Sequence, residues 1–127
     1  RAAMEGIALN LRCAIDELRG LATLSDEMLA VGGGSQSPRW QQIYADALNV
    51  RVVKTNVGQE AGSLGAAAVA AVGSGLWDDF STIDEVHQVI GVAEPIAQNV
   101  ERYERLLPIF KQAARSQAQL GDALAGL

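Results

Sequence analysis

The stretch Val31-Gly32-Gly33-Gly34-Ser35-Gln36-Ser37-Pro38-Arg39-Trp40 limits the possible folds of this chain more than any other. Before it, Glu27 to Val31 reads as a short strand whose apolar end suggests burial on both faces, as in parallel sheets. After it, Ser37 and Pro38 suit the N-cap and first position of a helix. A strand that runs through glycines into a helix start is a general device for holding phosphate. Without a Cβ, a ligand can touch the backbone, and the helix start offers unpaired N–H groups and a partial positive charge. A tight turn needing positive φ would also call for glycine, but three in a row after a buried strand favour ligand contact.

The neighbouring segments read as alternating helix and strand. Met4, Ile7, Ala8, Leu11, Ile15 and Leu18 have helical spacing, with an end near Gly20. Trp40, Ile43, Tyr44, Ala47 and Leu48 give the helix after Pro38 one apolar side, and Val50 to Lys54 is a second short strand. Glu60 to Trp77 is rich in Ala and Gly. Small side chains on a helix imply close packing against a sheet, because Gly65 otherwise costs about 1 kcal/mol against Ala. Ser81 to Ile90 reads as a capped helix with Ser81 and Asp84 in its first turn. A last helix from Asn99 carries Val100, Tyr103, Leu106, Leu107 and Phe110, with Pro108 expected to kink or interrupt it. The tail after Ser116 has weak periodicity and is expected to fray. The strand–helix–strand unit should be a right-handed parallel crossover. Two parallel strands do not make a stable sheet, so the sequence reads as half of an α/β domain with its first strands missing.

Composition narrows the function. The 127 residues fit one domain, half hydrophobic and about one fifth charged. A net charge of −5 without a basic block argues against nucleic-acid and anionic-membrane partners. No apolar run approaches the roughly 20 residues of a membrane span, and no signal peptide is visible. The single cysteine, Cys13, can form no internal disulfide and lies on the helical pattern, which fits a reducing, cytoplasmic setting. The first residue is Arg1 and not Met, so the chain is expected to be processed or part of something longer.

The ligand can be narrowed as well. No Gly-Lys-Ser or Gly-Lys-Thr follows the glycines, which excludes a P-loop. A dinucleotide fingerprint fits poorly: the third glycine position is Ser37, and the second strand ends in Lys54-Thr55-Asn56 without an acidic residue for a ribose hydroxyl. A mononucleotide held mainly through backbone contacts remains.

At several points in order, the residues resemble the FGGY family of carbohydrate kinases. Ala2-Ala3-Met4-Glu5-Gly6 is similar to the end of that family's second signature. Val31 to Ser37, with Gln42 and Ala45-Asp46, resembles its adenosine motif and the helix after it. Glu60-Ala61 with Leu64-Gly65-Ala66-Ala67 resembles its E-A-x-x-L-G-A-A segment, and Gly75-Leu76-Trp77 with the Tyr103 helix resembles the usual ending.

The resemblance implies an actin-like, ribonuclease H-like ATPase fold of two domains, with ATP and Mg²⁺ in the cleft between them. Residues 1–127 would be part of the C-terminal domain, on its nucleotide-binding side. The sugar-binding N-terminal domain, the catalytic Asp and the first strands of this domain would lie outside the chain. Gly32, Gly33 and Gly34 would lie against the adenosine and α-phosphate side of ATP, with Ser37 near the adenine. Glu5 would be structural or cleft-facing, and Gly65 and Ala66 would let their helix press on the sheet. The implied activity is transfer of the ATP γ-phosphoryl group to a sugar or polyol hydroxyl, which this chain alone should not support. The alternatives are a non-catalytic actin-like nucleotide-binding module and a purely structural assembly or dimer module.

Other candidates read more simply. His87, the only histidine, is expected at the surface or half-buried, without catalytic partners. Asp78-Asp79 fits a solvated helix boundary better than a metal site. Glu60 suits compensation of a helix dipole, Trp40 and Trp77 suit packing, and Glu101/Arg105 is an ordinary i,i+4 pair. The Glu27–Val31 strand, lacking a neighbour, should invite pairing with a second copy as a homodimer.

Overall fold

A computed structural model describes residues Arg1 to Gly126. The chain opens with helix α1 (Ala2–Arg19), which ends at Gly20. Strand β1 (Glu27–Ala30) follows, then a single 3-10 turn over Gly33–Gln36 and helix α2 (Pro38–Leu48). Strand β2 is Arg51–Thr55, helix α3 is Ala61–Gly73 and the short helix α4 is Thr82–Val86. Strand β3 (Val89–Ala93) and the long helix α5 (Ala97–Ala125) complete the order.

The local signals at α2 are met in detail. Ser37 is its N-cap, and the Oγ accepts a hydrogen bond from the Trp40 N–H at 3.4 Å. Pro38 stands at the first position, where its missing N–H costs nothing. At the far end Asn49 takes the left-handed conformation (φ 51°) that a side-chain amide tolerates, and the chain turns directly into β2.

The sheet has the order β1-β2-β3. β1 and β2 are parallel, with Ala30 opposite Lys54, as expected of a strand–helix–strand unit. β2 and β3 are antiparallel. β3 is a correction to the expected helix over Ser81–Ile90. Only Thr82–Val86 is helical there, and Val89-Ile90-Gly91-Val92-Ala93 pairs with β2 because that strand otherwise leaves an edge of unpaired N–H and C=O groups. The sheet stays small and β1 remains an edge.

One face of the sheet is covered. Val52, Ala93, Met28 and Ala30 pack with Ala45, Leu48 and Ile15, so α1 and α2 lie on that side. A second cluster joins α1, α2 and α5 through Ala8, Leu9, Ile43, Ala47, Tyr103 and Leu107, with Cys13 packed against it. The other face differs from the expectation of a strand buried on both sides. Leu29 is 47% exposed and Val92 40%, although Val53 between them is buried. Gly65 and Ala66 of α3, expected to let the helix press on the sheet, are likewise not closely packed, although Ala68 and Ala71 on the same helix are buried. A Cβ at Gly65 would meet nothing within 4 Å, Ala66 is exposed and Val69 is 63% exposed.

Pro108 does not interrupt α5, which stays helical from Ala97 to Ala125, including the tail expected to fray. Pro108 and Glu104 are both exposed, so water can replace the bond that the Glu104 carbonyl loses. From Gln112 onward the described residues of α5 are all exposed.

Candidate functional site

The three glycines differ in what their backbone needs. Gly32 has φ 77° and ψ −168°, a region essentially closed to residues with a Cβ. Its N–H donates to the Gly58 carbonyl at 3.1 Å, which ties the loop after β1 to the loop after β2. The turn requirement therefore explains Gly32. Gly33 and Gly34 do not have positive φ, and a Cβ on either would meet nothing within 4 Å. Both are exposed, and their N–H groups have no protein acceptor among the described residues. Their bareness is not required by the chain's own packing.

The turn itself is firmly held. Ser35 is 2% exposed, and its hydroxyl donates to the Gly32 carbonyl at 2.7 Å. Buried Gln41 donates from Nε2 to the Ser35 carbonyl at 2.6 Å. Gln36 points the other way: its Oε1 accepts from Lys54 Nζ at 3.1 Å, and a Cβ at Gly58 would fall 2.7 Å from its Nε2. The result is a rigid base carrying two bare peptide units with free donors. Such units can meet an anionic or polar ligand at backbone distance. Ser37, the fourth predicted site residue, is half-buried, and its hydroxyl oxygen already accepts the helix cap.

A separate cleft of about 380 Å³ lies between α2 and α5, lined by Arg1, Arg39, Gln42, Asp46, Asn99 and Tyr103 among others. The glycines are not part of it. Asp46, 4% exposed, accepts from Gln42 Nε2 at 2.9 Å, from the Ile96 N–H at 2.8 Å and from Asn99 Nδ2 at 2.8 Å. That carboxylate anchors the start of α5 to α2. Nearby, Glu5 Oε1 accepts from Arg1 Nε at 2.9 Å and from the Tyr103 hydroxyl at 3.0 Å. Burial pushes the Glu5 carboxyl up, but the bonds from Arg1 and Tyr103 and the Arg1 charge outweigh it and hold it below the ordinary range. Burial, then the hydrogen bond to Glu5 and its charge, push the Tyr103 phenol up to about 12.

The remaining candidates are placed simply. His87 is half-buried with Nδ1 3.3 Å from Thr55 Oγ1. Asp79 Oδ1 accepts from the Ser81 N–H at 2.8 Å in an exposed turn. Glu60 is the N-cap of α3, without a side-chain cap bond. Trp40 stacks on Tyr44 with centroids 5.0 Å apart, Trp77 is half-buried, and Arg105 pairs with Glu101 at 3.6 Å. The sequence does not single out Gln36 and Lys54: β2 reads Arg51-Val52-Val53-Lys54-Thr55, and nothing in it sets Lys54 apart from the other polar residues.

Residues 1–74 match the family model described as the FGGY family of carbohydrate kinases, C-terminal domain. The chain belongs to this family. It is 35% identical over 128 residues to a xylulose kinase of Bacillus subtilis (strain 168), an alignment covering 98% of this chain and 25% of the relative. A xylulose kinase of Lactococcus lactis subsp. lactis (strain IL1403) is 33% identical over 127 residues, with 98% and 25% covered. Among solved structures, the ligand bound xylulose kinase from Lactobacillus acidophilus superposes with a TM-score of 0.81 at 30% identity, over 93% of this chain and 24% of that one. The gluconate kinase structure from the same organism gives the same values. The mixed α/β arrangement and its incomplete sheet are thus those of a sugar kinase of the actin-like, ribonuclease H-like class. The chain spans about a quarter of the length of the relatives it matches.

Proposed function

We propose that this FGGY chain works as the C-terminal, nucleotide-binding side of an ATP-dependent carbohydrate kinase, whose acceptor is a hydroxyl of a small sugar or polyol. The observation that carries this reading is the pair Gly33 and Gly34, with bare, exposed peptide units and no packing reason for lacking side chains. They fit the adenosine and α-phosphate side of ATP, with Gly32 supplying the turn and Ser37 fixing the start of α2. ATP supplies the transferable phosphoryl group, and phosphoryl transfer depends on positioning and charge neutralisation. This chain contributes one wall to that task. No group of three or more His, Cys, Asp or Glu fit to hold a metal occurs among the described residues. Mg²⁺ would be held mainly by the nucleotide and by the rest of the kinase, which would also supply the catalytic base and the sugar ligands.

The protein would act in the cytoplasm. No described helix is long and apolar enough to cross a membrane, and the acidic balance disfavours nucleic acid and anionic membranes. By itself, the chain would pair through the open edge of β1 with a second copy, whereas in the complete kinase the first strands of this domain would take that edge.

The test begins with the coding sequence around this chain, followed by a sugar-phosphorylation screen of the complete protein. A preceding segment with a phosphate turn and a cleft Asp, and ATP-dependent phosphorylation of a sugar or polyol, is the expected result. ATP binding without transfer to any such acceptor would leave a nucleotide-binding module and contradict the kinase reading.

A further inference from the structure

We propose that Lys54 is the cation that meets the phosphate side of the bound nucleotide, a role that rests on the nucleotide reading above. β1 and β2 run parallel with Ala30 opposite Lys54, so Lys54 stands beside the point where the chain leaves β1 for Gly32–Gly34. In open parallel sheets, ligands sit outside the carboxyl ends of the strands. Lys54 is half-buried, and its polar contact is Gln36 Oε1 at 3.1 Å. No carboxylate lies within ion-pair distance of it among the described residues, whereas Arg12 pairs with Asp16 and Glu104, and Arg51 with Glu27 and Glu94. An ammonium has three donors, and a neutral amide satisfies one of them.

Gln36 is the neutral neighbour of this charge and links it to the glycine turn. Its amide sits against Gly58, reaches Lys54, and belongs to the same turn as Gly33 and Gly34. A half-buried cation left unneutralised in a chain of net charge −5 has the chemistry of one awaiting an anion. A phosphate oxygen is the anion that the adjacent bare peptides would bring. Lysine serves phosphate as a point charge and not as a planar fork.

The experiment measures ATP and adenosine affinity of the complete kinase, adenosine by competition, for wild type, Lys54→Met, Lys54→Arg, Gln36→Ala and Gly33→Val at low and high salt. Lys54→Met should weaken ATP binding about three- to tenfold and leave adenosine unchanged. Lys54→Arg should restore most of the loss, and the difference should shrink at high salt as the charge is screened. Gln36→Ala, which keeps the ammonium, should retain most of the preference for ATP over adenosine. Unchanged ATP affinity in Lys54→Met, an equal loss for both ligands, or a Gln36→Ala variant that loses the preference as fully as Lys54→Met would overturn the proposal and leave Lys54 as a prop for the turn. Lys54→Gln replaces Lys54→Met if that variant does not fold. Gly33→Val should weaken both ligands. If both persist there in a folded protein, the nucleotide site itself is wrong, an outcome distinct from failure of the Lys54 role.

Discussion

At the scale of single residues, the glycine triplet separates into two kinds of position. Gly32 is a conformational requirement, and Gly32→Ala should cost about 1–3 kcal/mol because its φ and ψ lie where only glycine is comfortable. Gly33→Ala and Gly34→Ala meet open space and should stay within about 0.5 kcal/mol of wild type. Chemical denaturation of the three variants checks the contrast, and equal losses at all three would contradict it. The Glu5–Tyr103 pair makes a second residue-scale prediction. The folded protein raises the Tyr103 phenol from 10.0 to about 12, so its contribution is complete below about pH 10 and disappears as pH rises through about 12. Glu5 is lowered, so its contribution is present above the ordinary carboxylate range and is lost as pH falls below it. Tyr103→Phe should remove about 1 kcal/mol near neutral pH and flatten the alkaline limb of stability. An unchanged alkaline limb would contradict the assignment.

At the scale of elements, the legible parts were those fixed by local chemistry. Ser37-Pro38 announced α2, the helical spacing from Met4 announced α1, and the two apolar runs announced β1 and β2. β3 was not legible, because Ser81 and Asp84 give a helix signal that the sequence carries straight into His87-Gln88-Val89. Only the need of β2 for a second partner reveals the strand, and that need depends on contacts between residues more than thirty positions apart. The glycine site was visible as a pattern, but its neighbour Lys54 was not, since a lone lysine at the end of a strand has no sequence signature. α3 carries the prediction at this scale. In the 127-residue chain, Gly65→Ala should stabilise by up to about 1 kcal/mol, because helix propensity favours Ala and nothing opposes its Cβ. In the complete kinase, the same change should be neutral or destabilising if another segment packs on α3. Thermal denaturation in both settings distinguishes them, and an equal gain in both would show that Gly65 has no packing role.

At the scale of the whole molecule, the chain is a well-joined helical layer on one side of a small sheet with an open edge and a half-open second face. Arg12 ties this layer together, bonding Asp16 at 2.7 Å, Glu104 at 2.8 Å and the Ala47 carbonyl at 2.9 Å. On the proposed reading, the β1 edge is where the remaining strands of a longer kinase would pair. By itself, the chain should self-associate through β1, as unpaired edges with exposed apolar residues do. Leu29→Lys should shift it toward monomer in sedimentation, and a wild-type chain that remains monomeric with freely exchanging β1 amides would count against edge pairing. The central claim is that Gly33 touches the nucleotide. It is tested most directly by the ATP affinity of the complete protein carrying Gly33→Val, measured beside its thermal stability. The account predicts a folded variant whose ATP affinity falls at least about tenfold, and unchanged affinity in a folded variant would contradict it.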